Sequence, residues 1–175
     1  PASEIDPARV NPAMFRVEPL GPQHDRARFF SGSDPLDQYF HHRVSQDTRR
    51  RVTSCFVALA SDQQIGGYYT LASTSIMLGD LPPAIRKKLP RYPTVPAVRM
   101  GRLAVHQAFK GKGLGGALLA DAVARACSAE IAAYALVVDA KDTAAAGFYA
   151  HHGFMAFADQ PLTLFLPLAT ASTLL

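Results

Sequence analysis

A glycine-dense stretch at residues 101–119, GRLAVHQAFKGKGLGGALL, constrains the fold of this chain more than any other feature. Its apolar run from Leu103 to Val105 is typical of the end of a buried strand. The segment KGKGLGG follows at 110–116, and apolar residues then recur at helical spacing as far as Ala126. The pattern therefore predicts a strand, a glycine loop and a helix in succession.

Such a loop favours the binding of a phosphate or pyrophosphate group. Glycines allow sharp backbone turns and let a ligand approach the main chain without a Cβ in the way. The N–H groups of the loop and the positive end of the following helix dipole then attract an anion. We therefore predict a phosphate-containing ligand at residues 110–116.

Two other interpretations of these glycines stay open. Gly111, Gly113 and Gly116 satisfy the dinucleotide-binding pattern G-x-G-x-x-G, and Asp139 follows at about the distance expected of the acidic residue that binds the ribose. Against a Rossmann site, residues 106–110 separate the strand from the first glycine, and too little chain follows Asp139 for two βαβαβ halves. The second alternative is a glycine turn without a ligand. A P-loop is excluded, because Lys112 is followed by glycine rather than by Ser or Thr.

Two motifs resemble those of the GNAT N-acetyltransferases. The run RLAV at 102–105 followed by KGKGLG at 110–115 is similar to the family's acetyl-CoA signature, whose loop has the form Gln/Arg-x-x-Gly-x-Gly/Ala. Lys110 departs from that form but keeps a positive charge. The run AGFYAHHGF at 146–154 resembles the family's F-Y-x-x-x-G-F helix end. Two matches in the right order are much more specific than either alone.

Periodicity along the chain predicts the element order β-α-β-β-α-β-α-β-α-β-β, with Pro90, Pro93 and Pro96 as a stiff connector before the central strand. We expect residues 1–13, which contain three prolines, to be a flexible segment, and 14–175 to be one domain. The GNAT resemblance implies the same order. It implies an α+β domain, within the broader α/β class, with a mixed central sheet of six to seven strands. The sheet would splay at the acetyl-CoA site and carry helices on both faces.

The resemblance narrows to the TacT-like toxins of type II toxin–antitoxin systems. Its basis is the four segments 31–39, 66–71, 96–105 and 147–149, with Asp34 and Pro35 standing where those relatives have Cys-Gly. This branch acetylates the amino group of aminoacyl-tRNA and stops translation. The resemblance therefore implies aminoacyl-tRNA as acceptor and a ribbon-helix-helix antitoxin as partner, with operator DNA bound through the antitoxin. We also expect a homodimer.

The resemblance also implies roles for individual residues. Tyr149 would be the general acid, because a phenol with a pKa of about 10 can protonate a thiolate of pKa about 8.5 as the C–S bond breaks. The alternative for Tyr149 is an aromatic ring that packs on the core with its hydroxyl in water. The main chain near the strand end would polarise the thioester carbonyl. The residues implied in acetyl-CoA binding are Leu103, Ala104, Val105, Lys110, Gly111, Lys112, Gly113, Leu114, Gly115 and Gly116.

The sequence offers no evident general base. Glu18 and Glu130 are the glutamates that follow residue 13, and neither lies in a stretch expected at the reaction centre. Neutralising a lysine amine of pKa about 10.4 near pH 7.4 costs about 4 kcal/mol, whereas an α-amine of pKa about 7.7 costs less than about 1 kcal/mol. A site without a base therefore suits an α-amine acceptor, in aminoacyl-tRNA or in another weakly basic amine.

Positive charge is modest in total and clustered in place. The net charge is +4, and many of the basic residues occur in clusters along the sequence. Such clusters favour a polyanionic partner over a surface that is merely solvated. The residues predicted to contact tRNA are Arg49, Arg50, Arg51, Lys87, Lys88, Arg91 and Arg99.

Several classes are excluded or disfavoured by composition. No apolar run approaches the length of a membrane span, and no signal-peptide pattern is present, so we expect a cytoplasmic protein without membrane contact. Cys55 and Cys127 are isolated among apolar residues and are expected to be core thiols, and no metal site is expected. The alternative functions are an acetyltransferase for a small amine or a protein N-terminus, or a CoA-binding module without turnover.

Overall fold

The computed structural model describes residues 14–173, so the segment 1–13, for which we predict flexibility, lies outside the described residues. The strands are β1 (Arg16–Pro19), β2 (Ser54–Leu59), β3 (Ile65–Met77), β4 (Thr94–Val105), β5 (Ala135–Asp139), β6 (Met155–Phe157) and β7 (Gln160–Pro167). The helices are α1 (Asp34–His42), α2 (Val44–Arg49), α3 (Pro83–Arg86), α4 (Leu114–Ser128), α5 (Thr143–His151) and α6 (Leu168–Ala171). The predicted order is confirmed, with α2 and α6 as additional helices.

The strands form one mixed sheet in the order β1-β2-β3-β4-β5-β7-β6. Strands β4 and β5 are parallel, with Ala97 opposite Ala135 and Met100 opposite Val138. Strands β1 and β2, β5 and β7, and β6 and β7 pair in antiparallel fashion. The predicted α+β architecture with a mixed sheet of six to seven strands is therefore confirmed.

The prediction of a proline connector before the central strand is wrong for Pro96. Strand β4 already begins at Thr94, so Pro96 lies inside it. Its carbonyl accepts a hydrogen bond of 2.8 Å from the Tyr134 N–H, a bond that needs no N–H from proline. Proline at this position is therefore compatible with pairing on the β5 side.

The chain comprises two compact units. Unit 1 contains the described residues up to Thr70 together with Arg102–Asp121, and unit 2 contains Leu71–Gly101 together with the described residues from Ala122 onward. Each unit has its own cluster of buried side chains. In unit 1 this core comprises Phe29, Tyr39, Phe40, Val44, Cys55, Val57, Leu59, Ile65, Tyr68 and Ala104. In unit 2 it comprises Ile76, Leu81, Val95, Ala97, Ala135, Val137, Phe157 and Phe165.

Local polar contacts fix the ends of two helices. Ahead of α1, the buried Asp37 carboxylate accepts hydrogen bonds from the Ser31 N–H at 2.9 Å and the Ser31 hydroxyl at 2.7 Å, which holds the preceding loop against the helix. At α5, the Asp142 side chain caps the first turn by accepting from the Ala145 N–H at 2.8 Å. Gly153, with φ of +91°, follows the last turn as predicted, because the left-handed conformation favours glycine.

Candidate active site

The glycine loop of unit 1 has the predicted strand–loop–helix form. Strand β4 ends at Val105, a 3₁₀ turn covers Gln107–Phe109, and α4 begins at Leu114. Gly111 and Gly113 have φ of +74° and +84°, a conformation that side chains rarely adopt. Leu114, Gly115 and Gly116 form the first turn of α4, whose N–H groups have no acceptor within the helix. Loop and helix end thus combine the free N–H groups and the positive dipole that an anion requires.

Side chains around the loop leave its main chain accessible. Lys110, Gly111 and Gly113 are exposed, Lys112 is half-buried, and Leu114 is buried as an anchor for the helix. A Cβ added to Gly111 would meet no heavy atom within 4 Å. The conformation of the chain, rather than crowding, therefore requires glycine at position 111.

Close packing holds the end of β4 in place. A Cβ on Gly67 of β3 would lie 2.9 Å from the Ala104 carbonyl oxygen and 2.6 Å from Leu118 Cδ1, so only glycine fits there without a shift. The His106 N–H donates to the Gly66 carbonyl at 2.8 Å. Ala104 is buried, while Leu103 and Val105 are half-buried. The parallel ladder of β4 with β5 has its last pair at Met100, before the segment for which we predict contact with the thioester.

The dinucleotide interpretation of the glycines does not fit this structure. The 3₁₀ turn separates the strand from Gly111, and the sheet is mixed rather than doubly wound. The Asp139 carboxylate is occupied by an ion pair with Arg99 and by a hydrogen bond of 3.1 Å from the Thr163 hydroxyl. Asp139 therefore already has partners of its own in this fold, although its carboxylate remains partly exposed.

Tyr149 lies in α5 of unit 2 with its ring buried and its hydroxyl accessible. The residue is 8% exposed and packs edge to face against Phe148 at 5.2 Å between ring centroids. No hydrogen bond from its hydroxyl to another described residue is formed, and no fully buried side-chain N or O atom among residues 14–173 lacks a partner, so the hydroxyl reaches solvent. The structure thus agrees with both interpretations of Tyr149, a proton donor and a packed aromatic with a wet hydroxyl.

Burial, with a smaller contribution from the negative charge of Asp139, raises the pKa of Tyr149 to about 12. The phenol is therefore fully protonated near neutral pH and available as a donor. The same shift makes it a weaker acid than an ordinary phenol, so proton transfer to a free thiolate is less favourable than the reference pKa values suggest.

The two glutamates that follow residue 13 lie in different settings. Glu18 accepts a hydrogen bond of 2.7 Å from the His24 ring and forms an ion pair of 3.0 Å with Arg16. These contacts lower the pKa of Glu18, with the His24 hydrogen bond making the largest contribution, and they make its carboxylate a weaker base. Glu130 is exposed beyond the end of α4.

The residues predicted to contact tRNA lie in different settings. Arg49 ends α2, and Arg50 and Arg51 follow it, all exposed. Arg51 adopts φ of +60°, which is uncommon for a residue with a side chain. Lys87, Lys88 and Arg91 are exposed after α3 in unit 2. Arg99 is half-buried and paired with Asp139, so part of its charge is already neutralised.

Two other arginines of unit 1 stand out: sequence reasoning left Arg26 out and included Arg102 only as the first residue of the motif at 102–105. Arg26 donates a hydrogen bond of 2.7 Å to the Phe40 carbonyl, and Arg102 stacks on the ring of Tyr39. Arg102 directly precedes the Leu103–Val105 run, and that adjacency was the available signal. Arg26 lines a surface cavity of about 370 Å³ with polar residues of the α2 region, and the lining comprises Leu20, Gly21, Pro22, His24, Arg26, Ser45, Thr48 and Arg49.

Residues 14–173 contain no helix both long and apolar enough to span a membrane.

Comparison with known proteins gives consistent matches. A family model described as the acetyltransferase (GNAT) domain matches residues 51–156. The chain is 35% identical to a tRNA-acetylating toxin of Mycobacterium tuberculosis (strain ATCC 25618 / H37Rv), over 86% of this chain and 90% of that protein. It is 29% identical to a probable toxin TacT of Sinorhizobium fredii (strain NBRC 101917 / NGR234), over 96% and 99% of the two chains.

Solved structures agree in fold with this chain. AtaT complexed with acetyl-methionyl-tRNAfMet superposes with a TM-score of 0.85 at 27% identity, covering 91% of this chain and 98% of AtaT. AtaTR bound with AcCoA superposes with a TM-score of 0.79 at 26% identity, covering 93% and 98%.

Proposed function

We infer, since this chain belongs to the GNAT acetyltransferase family, that it transfers an acetyl group from acetyl-CoA to the α-amino group of aminoacyl-tRNA and thereby blocks translation. The observation that carries this proposal is the 35% identity, over 86% of the chain, to a tRNA-acetylating toxin. The glycine loop and Tyr149 supply residues for the chemistry.

The glycine loop would hold the pyrophosphate of acetyl-CoA. The N–H groups of residues 111–116, which include the first turn of α4, would donate to its oxygens, with the side chains of Lys110 and Lys112 adding positive charge. When bound, acetyl-CoA supplies the activated thioester. The main-chain N–H groups of Leu103, Ala104 and Val105 would polarise its carbonyl, as the donors of an oxyanion hole do.

Tyr149 would donate the proton that the departing sulfur requires. Its raised pKa keeps the phenol protonated throughout the neutral range, and its hydroxyl reaches solvent rather than another protein group. The amine attacks the thioester carbonyl, the C–S bond breaks, and the phenol proton passes to sulfur while the amine gives up its own proton to water. The lowered pKa of Glu18 makes its carboxylate a poor base, which supports an acceptor whose amine is already largely neutral.

The exposed basic residues would bind the tRNA backbone. Arg49, Arg50 and Arg51 in unit 1 and Lys87, Lys88 and Arg91 in unit 2 are all exposed. Arg99 would contribute only if its pairing with Asp139 leaves donors free, so we assign it the weakest role.

The same relatives support a setting for this activity. A toxin acts on the translation apparatus, so we propose that the protein works in the cytoplasm. A ribbon-helix-helix antitoxin would restrain it and bind operator DNA, and the toxin would be a homodimer. The names of the two relatives, both toxins, support this assignment.

The decisive experiment incubates the protein with radiolabelled acetyl-CoA and a pool of charged and uncharged tRNA. We expect label on the amino acid of charged tRNA and none on uncharged tRNA. If label is transferred only to small amines or protein N-termini, the acceptor is one of these rather than aminoacyl-tRNA. If acetyl-CoA binds without transfer of label, the protein is a CoA-binding module without turnover.

A further inference from the structure

Arg102 is held by an aromatic ring rather than by a carboxylate. Its guanidinium carbon lies 3.3 Å from the centroid of the Tyr39 ring. The Tyr39 residue is 5% exposed, and its hydroxyl donates a hydrogen bond of 3.0 Å to Asp47 Oδ2 in α2. A guanidinium stacked in this way is already ordered, so it loses little freedom when it binds a ligand.

The N–H donors of Arg102 remain available. Across residues 14–173, it takes part in no ion pair and in no hydrogen bond to another protein group. Stacking uses the face of the guanidinium and leaves the five N–H donors in its plane free. Because no side-chain N or O atom in the described chain is fully buried without a partner, these donors reach solvent. Their fork matches the oxygens of a phosphate.

The position of Arg102 links it to the proposed chemistry. It directly precedes Leu103, the first residue for which we predict contact with the thioester, and successive Cα atoms are about 3.8 Å apart. Side chains alternate along a strand, so Arg102 points to the same side of β4 as Ala104, which belongs to the core of unit 1 together with Tyr39. An anion bound to Arg102 would thus lie beside the end of β4.

Positive charge continues around this part of unit 1. Arg26 and Arg102 both act on the buried Cys55 thiol, where their charges oppose the larger effect of burial, which raises the pKa of that thiol to about 12. Arg26 also lines the cavity that contains Arg49 and the hydroxyl residues Ser45 and Thr48. Arg26 thus connects the region of Cys55 and Arg102 with a cavity whose lining includes further groups that can bind phosphate.

We propose that Arg102 binds a backbone phosphate at the 3′ end of the acceptor RNA, and that Tyr39 and Asp47 are positioning residues that fix the plane of its guanidinium. This proposal rests on the proposed function, because it takes RNA as the acceptor. It assigns Arg102 to the RNA and not to the phosphates of CoA.

The test compares Arg102→Ala and Arg102→Lys with Arg16→Ala, a matched control at an exposed arginine that pairs with Glu18. The probes are a fluorescently labelled uncharged tRNA for binding, and aminoacyl-tRNA and a free aminoacyl ester for kcat/KM. Arg102→Ala should weaken tRNA binding and lower kcat/KM for aminoacyl-tRNA about ten- to a hundredfold, as expected for a hydrogen-bonded charge pair. Turnover of the phosphate-free ester should stay within about threefold. Arg102→Lys should recover only part of the loss, because a lysine lacks the planar fork.

A second pair of variants tests the positioning residues. Tyr39→Leu removes the ring and should reduce tRNA binding nearly as much as Arg102→Ala, whereas Tyr39→Phe keeps the ring face and should cost less. The thermal shift with acetyl-CoA should persist in every variant. Loss of that shift in Arg102→Ala would assign the side chain to CoA binding. An equal fall in kcat/KM for the ester and for aminoacyl-tRNA would assign it to the fold or to binding of the aminoacyl group. Unchanged tRNA binding would overturn the proposal. Because uncharged tRNA binding involves no acetyl transfer, a protein that bound tRNA through Arg102 without acetylating it would refute the proposed function alone.

Discussion

The two compact units offer different kinds of chemistry for the proposed reaction. Unit 1 would contribute main-chain N–H groups in a loop where Gly111 and Gly113 are exposed and adopt left-handed conformations. Unit 2 would contribute the side chain of Tyr149, a residue that is 8% exposed and whose pKa is raised by burial. A main-chain site depends on conformation, and a buried side chain depends on its surroundings. Mutations in the two units should therefore separate binding from chemistry.

The largest expected effect follows from Gly113→Glu, which should abolish the response to acetyl-CoA. Ligand that binds only the native state stabilises it by about 2.7 kcal/mol at a hundredfold excess over Kd. For a chain of this length that corresponds to a rise in Tm of roughly 5 to 10 °C. The glutamate adds bulk and negative charge where the pyrophosphate would lie, at a residue with φ of +84°. Differential scanning fluorimetry with and without acetyl-CoA measures the shift.

Two controls separate charge from backbone strain in that experiment. Gly79→Glu adds the same charge at an exposed glycine where a Cβ meets no atom within 4 Å, and it should leave the shift intact. Gly113→Asn tolerates a positive φ without adding a charge, and it should retain part of the shift. A full shift in Gly113→Glu would remove the loop from the ligand site.

Tyr149→Phe should show the opposite pattern, with binding kept and chemistry lost. The variant retains the packed ring and removes only the hydroxyl. We expect kcat to fall about a hundredfold with an unchanged thermal shift, as for the loss of a general acid. Single-turnover kinetics of aminoacyl-tRNA acetylation measure the step directly. If kcat stays within about threefold, Tyr149 is a packing residue and the proton donor lies elsewhere.

The contrast between the units also explains what the sequence could predict. The glycine loop was predictable because left-handed turns favour glycine, so the glycines at 110–116 indicate the backbone conformation directly. The surroundings of a side chain were not predictable in this way. Arg99 on β4 pairs with Asp139 at the end of β5, and the two residues are brought together only by the fold. Arg99 and Arg102 are three positions apart on one strand, yet one meets a carboxylate and the other an aromatic ring. Charge counting along the sequence treats them as equal, and only the fold distinguishes them.

The dependence of kcat/KM on pH provides a smaller effect, a change of about tenfold, that also distinguishes the two units. Main-chain N–H groups do not titrate, and Tyr149 stays protonated because its pKa is about 12. The profile should therefore follow the acceptor amine, so that kcat/KM rises about tenfold from pH 6.7 to 8.7 for an α-amine of pKa about 7.7 and is level above that range. Initial rates at low aminoacyl-tRNA concentration give the curve. A rise that continues to about pH 10 would indicate a lysine acceptor, and a decline above pH 9 would show a donor that ionises earlier than Tyr149.

The smallest effect tests whether the exposed charges of unit 1 bind tRNA. Arg51 has φ of +60°, so Arg51→Gly removes a charge while it relieves a strained backbone, and the free energy of unfolding should stay level or rise by up to about 1 kcal/mol. Each phosphate that the protein no longer neutralises makes the slope of log affinity against log salt shallower by about 0.7 to 0.9, and we expect a three- to tenfold weaker tRNA affinity near physiological salt. Gln63→Gly is the matched control, since Gln63 has φ of +68° and no charge. Its unfolding free energy should change in the same direction while its salt slope stays that of the wild type. Filter binding across a salt series, read beside thermal unfolding, distinguishes the two variants, and equal slopes for both would leave Arg51 as a solvated surface residue.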